Sequence, residues 1–152
     1  MASCIIGGMI AQGFSAANIV VSEPGAESRQ RLEESYGIKT TADNRAAAKQ
    51  AELIVLAVKP QIMNEVVQEL ADCLGHNPAV VSIAAGIPLT SLQNWLGDDV
   101  AIIRAMPNTP AMVLCGATGL FANSLVTTEQ QTQVEKVFDA VGYTCWVDNE
   151  AQ

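Results

Sequence analysis

Leu53-Ile54-Val55-Leu56-Ala57-Val58-Lys59-Pro60 is the stretch on which the fold of this chain turns. Five of its first six residues are large and apolar, and no polar residue alternates with them. A run this short, flanked by helix-like sequence, reads as a strand buried on both faces. It then stops abruptly. Lys59 is the first charge, and Pro60 has no N–H to give a sheet ladder but suits the first turn of a helix. Buried strand, polar break and helix are how an open parallel α/β sheet builds a ligand site at the carboxyl ends of its strands.

Downstream, residues 61–74 read as a helix with Ile62, Met63, Val66, Val67, Leu70 and Leu74 at helical spacing, closed by Gly75. A second apolar strand, 79–84, ends at Ala85-Gly86. A helix over 89–96 stops at Gly97, and a strand over 100–105 breaks at Met106-Pro107-Asn108-Thr109-Pro110. Residues 117–122 read as extended. Thr127 or Thr128, each with Gln three residues on, can box the start of a helix running to Val141. Residues 143–147 form a last strand. Upstream, strands are expected at 18–22 and 38–40, with helix 26–36 between them, and Asp43 and Asn44 can cap a helix to Gln50. This alternation argues for an α/β fold with a doubly wound, mostly parallel sheet and helices on both faces.

Residues 1–13 read as a helix in which Ile5, Ile6, Met9 and Ile10 share a face. Gly7 and Gly8 lie inside it at a cost of about 1 kcal/mol each against Ala, so another backbone is expected close by. In a dinucleotide-binding sheet of order 3-2-1-4-5-6, a strand and a glycine-rich turn precede the first helix. Without that strand, the segments at 19–21 and 53–58 would be separated and two edges left unpaired. The expectation is that Met1 is an internal methionine of a longer protein. The alternative is a variant fold in which this helix is the first element.

The 152 residues carry a net charge of −8, with 49% hydrophobic and 16% charged residues, which suits one packed domain. The acidic balance argues against a nucleic-acid partner, whose phosphates need clustered Lys and Arg. A small anion is still compatible, since helix N-termini supply local positive potential. Cys4, Cys73, Cys115 and Cys145 are scattered and His76 is the single histidine, so no metal site is expected and a reduced, cytoplasmic chain is the simplest reading. No apolar run reaches the roughly 20 residues of a membrane span, and the first residues lack the positive region of a signal peptide.

Three stretches carry a family resemblance: Ala57-Val58-Lys59-Pro60-Gln61, Val81-Ser82-Ile83-Ala84-Ala85-Gly86-Ile87, and Ile103-Arg104-Ala105-Met106-Pro107-Asn108-Thr109-Pro110-Ala111. In this order they resemble the N-terminal domain of the pyrroline-5-carboxylate reductase family, the third stretch being the most specific. The resemblance covers essentially the whole chain. It implies a Rossmann-type fold, with residues 1–147 as an NAD(P)-binding domain and 148–152 as a tail. It implies reduction of 1-pyrroline-5-carboxylate, a small molecule, to proline by NADP(H), with NAD(H) as the alternative. It also implies a homo-oligomer formed through an all-helical C-terminal domain absent here, so this chain is expected to be inactive alone. Met1-Ala2-Ser3 resembles the end of the family's glycine-rich turn, which places Met1 beside the cofactor.

The remaining candidate cofactor residues lie at or near the strand ends. Ala57, Val58, Lys59 and Pro60 close one strand, where small residues admit the cofactor and Lys59 can meet its oxygens; a plain strand end with a solvated lysine is the competing reading. Ile83, Ala84 and Ala85 end the next strand and leave room for the nicotinamide ribose, or are a simple exit to a loop. Asn44 matches the family position for the adenosine ribose phosphate, or merely caps its helix. Ser22 and Glu23 follow the strand that reads the adenosine ribose. A carboxylate at Glu23 would repel a 2′-phosphate and suits a free hydroxyl, which Ser22 and Arg29 can offset. Asn108, in a turn held by two prolines, would border the nicotinamide, or belongs to a plain connecting turn. No catalytic residue is assigned. Lys59, Ala85 and Asn108 are expected on one edge of the molecule. Two other functions fit the pattern: a non-catalytic nucleotide-binding module, and another reductase such as a hydroxyacid or F420-linked dehydrogenase, against which the Met106–Pro110 turn speaks.

Overall fold

Helix and strand alternate, apart from two successive strands before the last helix, in a computed structural model that describes residues 2–107 and 116–150. The order is α1 (Ala2–Ala11), β1 (Val20–Ser22), α2 (Ala26–Tyr36), β2 (Lys39–Thr41), α3 (Asn44–Gln50), β3 (Leu53–Leu56) and α4 (Pro60–Leu70). Then come β4 (Ala79–Ser82), α5 (Leu89–Leu96), β5 (Ala101–Pro107), β6 (Gly116–Ala122), α6 (Thr128–Asp139) and β7 (Gly142–Trp146). Local chemistry sets several boundaries. Pro60 occupies the first turn of α4, where its missing N–H costs nothing. Thr127 and Gln130 form a reciprocal capping box at the start of α6.

The strands form two sheets. β3-β4-β5-β6-β7 make one of five strands, and β1-β2 make a separate parallel pair. Among the described residues no ladder joins β1 to β3. Within the larger sheet, β3, β4 and β5 run parallel, β6 is antiparallel to β5, and β7 is parallel to β6. β6 and β7 therefore run opposite to β3, β4 and β5.

Side chains alternate across the larger sheet into two cores. Ile54, Leu56, Val80 and Ile102 pack with Met63 and Val67 of α4 and Leu92 of α5. Val81, Ile103, Ala105 and Leu120 face the other way, against Ile5 of α1 and Val134, Val137 and Phe138 of α6. Helices therefore cover both faces, each fully buried aliphatic side chain contributing about 1.5–3 kcal/mol. A third, smaller cluster of Ile6, Ile19 and Ile38 lies with α2 beneath the two-stranded sheet.

The strand at residues 53–58 is shorter and less buried than its sequence suggests. It ends at Leu56, and only Ile54 and Leu56 are buried while Leu53 and Val55 are half-buried. Among the described residues β3 pairs with β4 alone, and one of its faces is only partly covered. The segment at residues 18–22 likewise begins as a single 3₁₀ turn, Ala16–Asn18, before the strand.

α3 is pinned to the end of α4 by Arg45, which bonds Asp72 at 2.5 Å and the Glu69 carbonyl at 2.9 Å. The Arg45 guanidinium holds the Asp72 carboxyl below the usual carboxylate range. A depressed folded-state pKa adds stability above the unfolded value, about pH 4, and loses it as the pH falls through the folded one. Asp72→Asn should therefore lower the urea midpoint slightly at neutral pH and not at all in strong acid. The pair is exposed, so high salt should shrink the difference.

Candidate functional site

β3 and β4 run parallel with Leu56 opposite Ser82, so both strands finish at the same level. The Ile83 N–H donates to the Leu56 carbonyl at 3.3 Å and carries the alignment one residue further. The two strand exits therefore lie side by side: Ala57, Val58, Lys59 and Pro60 after β3, and Ile83, Ala84, Ala85 and Gly86 after β4. Ala57, Lys59, Pro60, Ala85 and Gly86 are exposed, Val58 and Ile83 half-buried, and Ala84 buried. Lys59 and Ala85 thus share one edge, as expected from the sequence. Asn108, expected from the sequence on the same edge, and Met1 lie outside the described residues.

The edge suits an anionic, flat ligand in three respects. The exposed residues other than Lys59 and Pro60 are alanine or glycine. Gly86 has φ +78°, a left-handed conformation only glycine takes readily, and a Cβ there would meet nothing within 4 Å. Lys59 is the N-cap of α4 and makes no side-chain cap bond; Pro60 has no N–H and the Ile62 N–H donates to the Lys59 carbonyl at 3.1 Å, which leaves the Gln61 N–H and the Lys59 ammonium, unpaired among the described residues, as donors suited to an anion.

Ser22, Glu23 and Asn44 form a second group. The Ser22 hydroxyl donates to Asn44 Oδ1 at 2.5 Å, joining the end of β1 to the start of α3. Asn44 Nδ2 donates in turn to Glu69 Oε2 at 3.3 Å, near the far end of α4 from Pro60. Asp43, rather than Asn44, caps α3, its carboxylate accepting from the Arg45 and Ala46 N–H groups. The Glu23 carboxylate turns back to accept the Gly25 N–H at 3.1 Å. Arg29 reaches under the same turn and donates to the carbonyls of Glu23 at 2.7 Å and Pro24 at 3.0 Å. The guanidinium thus braces the backbone of this loop, while the carboxylate is turned to the Gly25 N–H.

One polar arrangement has no place in the sequence-based site. Arg104, on β5 directly opposite Ser82, bonds Glu150 at 2.8 Å and lines a cleft of about 390 Å³ with Gly86, Pro88 and Asn149. The signal was a lone arginine inside an otherwise apolar strand. Among the described residues no group of three or more His, Cys, Asp and Glu is placed to hold a metal, and no helix is long and apolar enough to cross a membrane.

Comparison with known proteins agrees with this architecture. Residues 1–86 match the family model described as NADP oxidoreductase coenzyme F420-dependent. All 152 residues align at 46% identity with the pyrroline-5-carboxylate reductase of Pseudomonas aeruginosa, covering 56% of that protein. The solved structure of a pyrroline-5-carboxylate reductase from Coxiella burnetii superposes with TM-score 0.96 at 41% identity, over 99% of this chain and 56% of that one. That of the Plasmodium falciparum pyrroline carboxylate reductase with NADP bound matches at TM-score 0.85 and 22% identity, over 96% of this chain and 53% of that one, a likeness of fold. The chain spans about half the length of the curated relatives it matches.

Proposed function

We propose, since this chain belongs to the family described as NADP oxidoreductase coenzyme F420-dependent, that it is the dinucleotide-binding part of a pyrroline-5-carboxylate reductase. One observation carries this reading: the register-matched ends of β3 and β4 bring small exposed residues, Lys59 and the uncapped start of α4 to one edge. The 46% identity to a pyrroline-5-carboxylate reductase along the whole chain supports the choice of substrate. In this reading the gap between β1 and β3 takes a strand supplied by the longer protein, and Met1 and Asn108 join the cofactor residues on the strength of the family resemblance. The remainder of that protein would supply most of the substrate pocket and the oligomer contacts.

Bound nicotinamide would supply the hydride that reduces the imine carbon to the ring amine of proline. The residues of this chain bind and orient. Lys59 and the first turn of α4 hold the pyrophosphate, while Ala84, Ala85 and Gly86 admit the nicotinamide ribose against backbone. Ser22 and Asn44 receive the adenosine ribose. NADPH is the proposed cofactor, because Arg29 sits within the Glu23–Gly25 turn and can balance a 2′-phosphate. NADH is the second reading, favoured by the Glu23 carboxylate.

Calorimetric titration with NADPH and NADH tests the proposal. The longer protein that contains this chain should bind a nicotinamide nucleotide, and the 152 residues alone should form no proline from 1-pyrroline-5-carboxylate. Absence of binding to either nucleotide by the longer protein would sink the assignment, and clear turnover by the 152 residues alone would show that the active site has been misplaced. Gly86→Val should weaken binding by about tenfold or more, because a β-branched residue resists positive φ by some 1–3 kcal/mol. A Cβ there meets nothing within 4 Å among the described residues, so the loss would combine the strained backbone with crowding of the ribose that Gly86 admits.

A further inference from the structure

The loop from β4 to α5 carries Ile83, Ala84, Ala85 and Gly86, and it is fastened at both ends. At its start the Ala84 N–H donates to the buried Ser82 hydroxyl at 3.3 Å. At its far end α5 opens at Leu89 behind Pro88, which offers no side-chain cap. The missing cap comes from 61 residues away: Glu150 Oε1 accepts the Leu89 N–H at 2.6 Å. The same oxygen accepts from Arg104 at 2.8 Å, with the arginine side chain 12% and the glutamate 25% exposed.

We propose that Glu150 is a positioning residue, a clamp that reaches back from beyond β7 and sets the β4–α5 loop in the shape that receives the nicotinamide nucleotide. The inference rests on the proposed function for its ligand and on the clamp geometry for everything else. Three features support it. A carboxylate at a helix N-terminus satisfies a donor that no nearer side chain can reach, and it complements the helix dipole. A largely desolvated guanidinium is costly without its partner, so Arg104 holds the carboxylate in place from the adjacent strand. Arg104 lies opposite Ser82 in the ladder, so both fastenings of the loop are anchored at one level of the sheet. Ala85 and Gly86, the exposed part of the loop, hang between them.

The test compares Glu150→Ala, which removes both bonds, with Glu150→Gln, which keeps an acceptor for the Leu89 N–H and loses the charge. Two quantities are measured on the longer protein that contains this chain: amide hydrogen exchange over residues 84–92, and the Kd for NADPH and NADH by calorimetry. The alanine variant should exchange faster over 84–92, with α3 and α4 unchanged, and bind nucleotide about tenfold more weakly. The glutamine variant should recover most of both losses, to within about threefold of wild type. If the alanine variant fails to fold, the glutamine variant alone decides: binding weakened up to about threefold supports the clamp, and unchanged binding overturns it. A loop loosened with Kd unchanged would make Glu150 a purely structural contact and overturn the proposal. Unchanged exchange would overturn it too. A wild-type chain that binds neither nucleotide defeats the cofactor assignment instead, and the exchange comparison then decides the clamp by itself.

Discussion

Phe138→Ala is expected to cost about 3–5 kcal/mol of folding stability, the usual range for emptying a large aromatic site in a core. Phe138 is fully buried on α6, in the cluster formed by Val81, Ile103 and Leu120 of the sheet and Ile5 of α1. Its ring fills the layer between the sheet and two helices, so the surroundings cannot close without moving a strand. Set against a total stability of about 5–15 kcal/mol, the loss would leave a substantial unfolded population. The urea midpoint should fall steeply while the slope of the transition stays near that of the wild type. Tyr143→Ala is the control. Tyr143 is 70% exposed on the edge strand β7, and its removal should move the midpoint little. Equal losses from both substitutions would show that the core does not lie where the structure puts it.

The same burial explains which elements could be read from the sequence. α2 and α5 fall on residues 26–36 and 89–96 as expected, because Gly25, Gly37, Pro88 and Gly97 punctuate them. The cap of α6 was legible because Thr127 and Gln130 are a reciprocal pair at fixed spacing. Strand direction was not legible. β6 reads as an ordinary extended segment, and nothing in a period of two says that it runs against β5. The half-exposure of Leu53 and Val55 was hidden for a related reason, since an apolar run cannot tell a central strand from an edge strand.

The candidate site divides along the same line. The side-by-side ends of β3 and β4 were legible, since each strand stops at small residues and a turn. Asn44 was placed correctly at the start of α3, but Asp43 takes the capping bond, because its carboxylate precedes the first helical N–H groups. The clamp from Glu150 to Leu89 was invisible. Residues 148–152 read as a tail, and a contact spanning 61 positions leaves no local pattern.

Gly7→Ala and Gly8→Ala, adjacent in sequence and in one helix, should shift stability in opposite directions. Either change replaces a helix-interior glycine and so gains about 1 kcal/mol of backbone propensity. At Gly7 a Cβ would meet the Tyr36 hydroxyl at 3.3 Å, the end of a side chain that can turn aside. At Gly8 it would stand 2.7 Å from the Ala140 carbonyl oxygen and 2.9 Å from a Val141 methyl, with backbone that cannot yield. Overpacking of that kind costs about 1–3 kcal/mol, so Gly8→Ala should lower the urea midpoint while Gly7→Ala holds or raises it. The consequence reaches the site. α1 sends Ile5 into the core of the five-stranded sheet and Ile6 into the cluster under β1 and β2, and Met9 touches both. With no ladder joining β1 to β3 among the described residues, this helix adds to the Asn44 and Arg45 bonds onto the end of α4 in tying the Ser22–Asn44 half of the proposed nucleotide site to the Lys59–Ala85 half. A ligand that spans both halves needs their spacing fixed. Gly8→Ala should therefore weaken NADPH more than adenosine 2′,5′-bisphosphate, which engages one half alone. Equal weakening of the two, measured at matched folded fractions, would mean that α1 does not set the spacing.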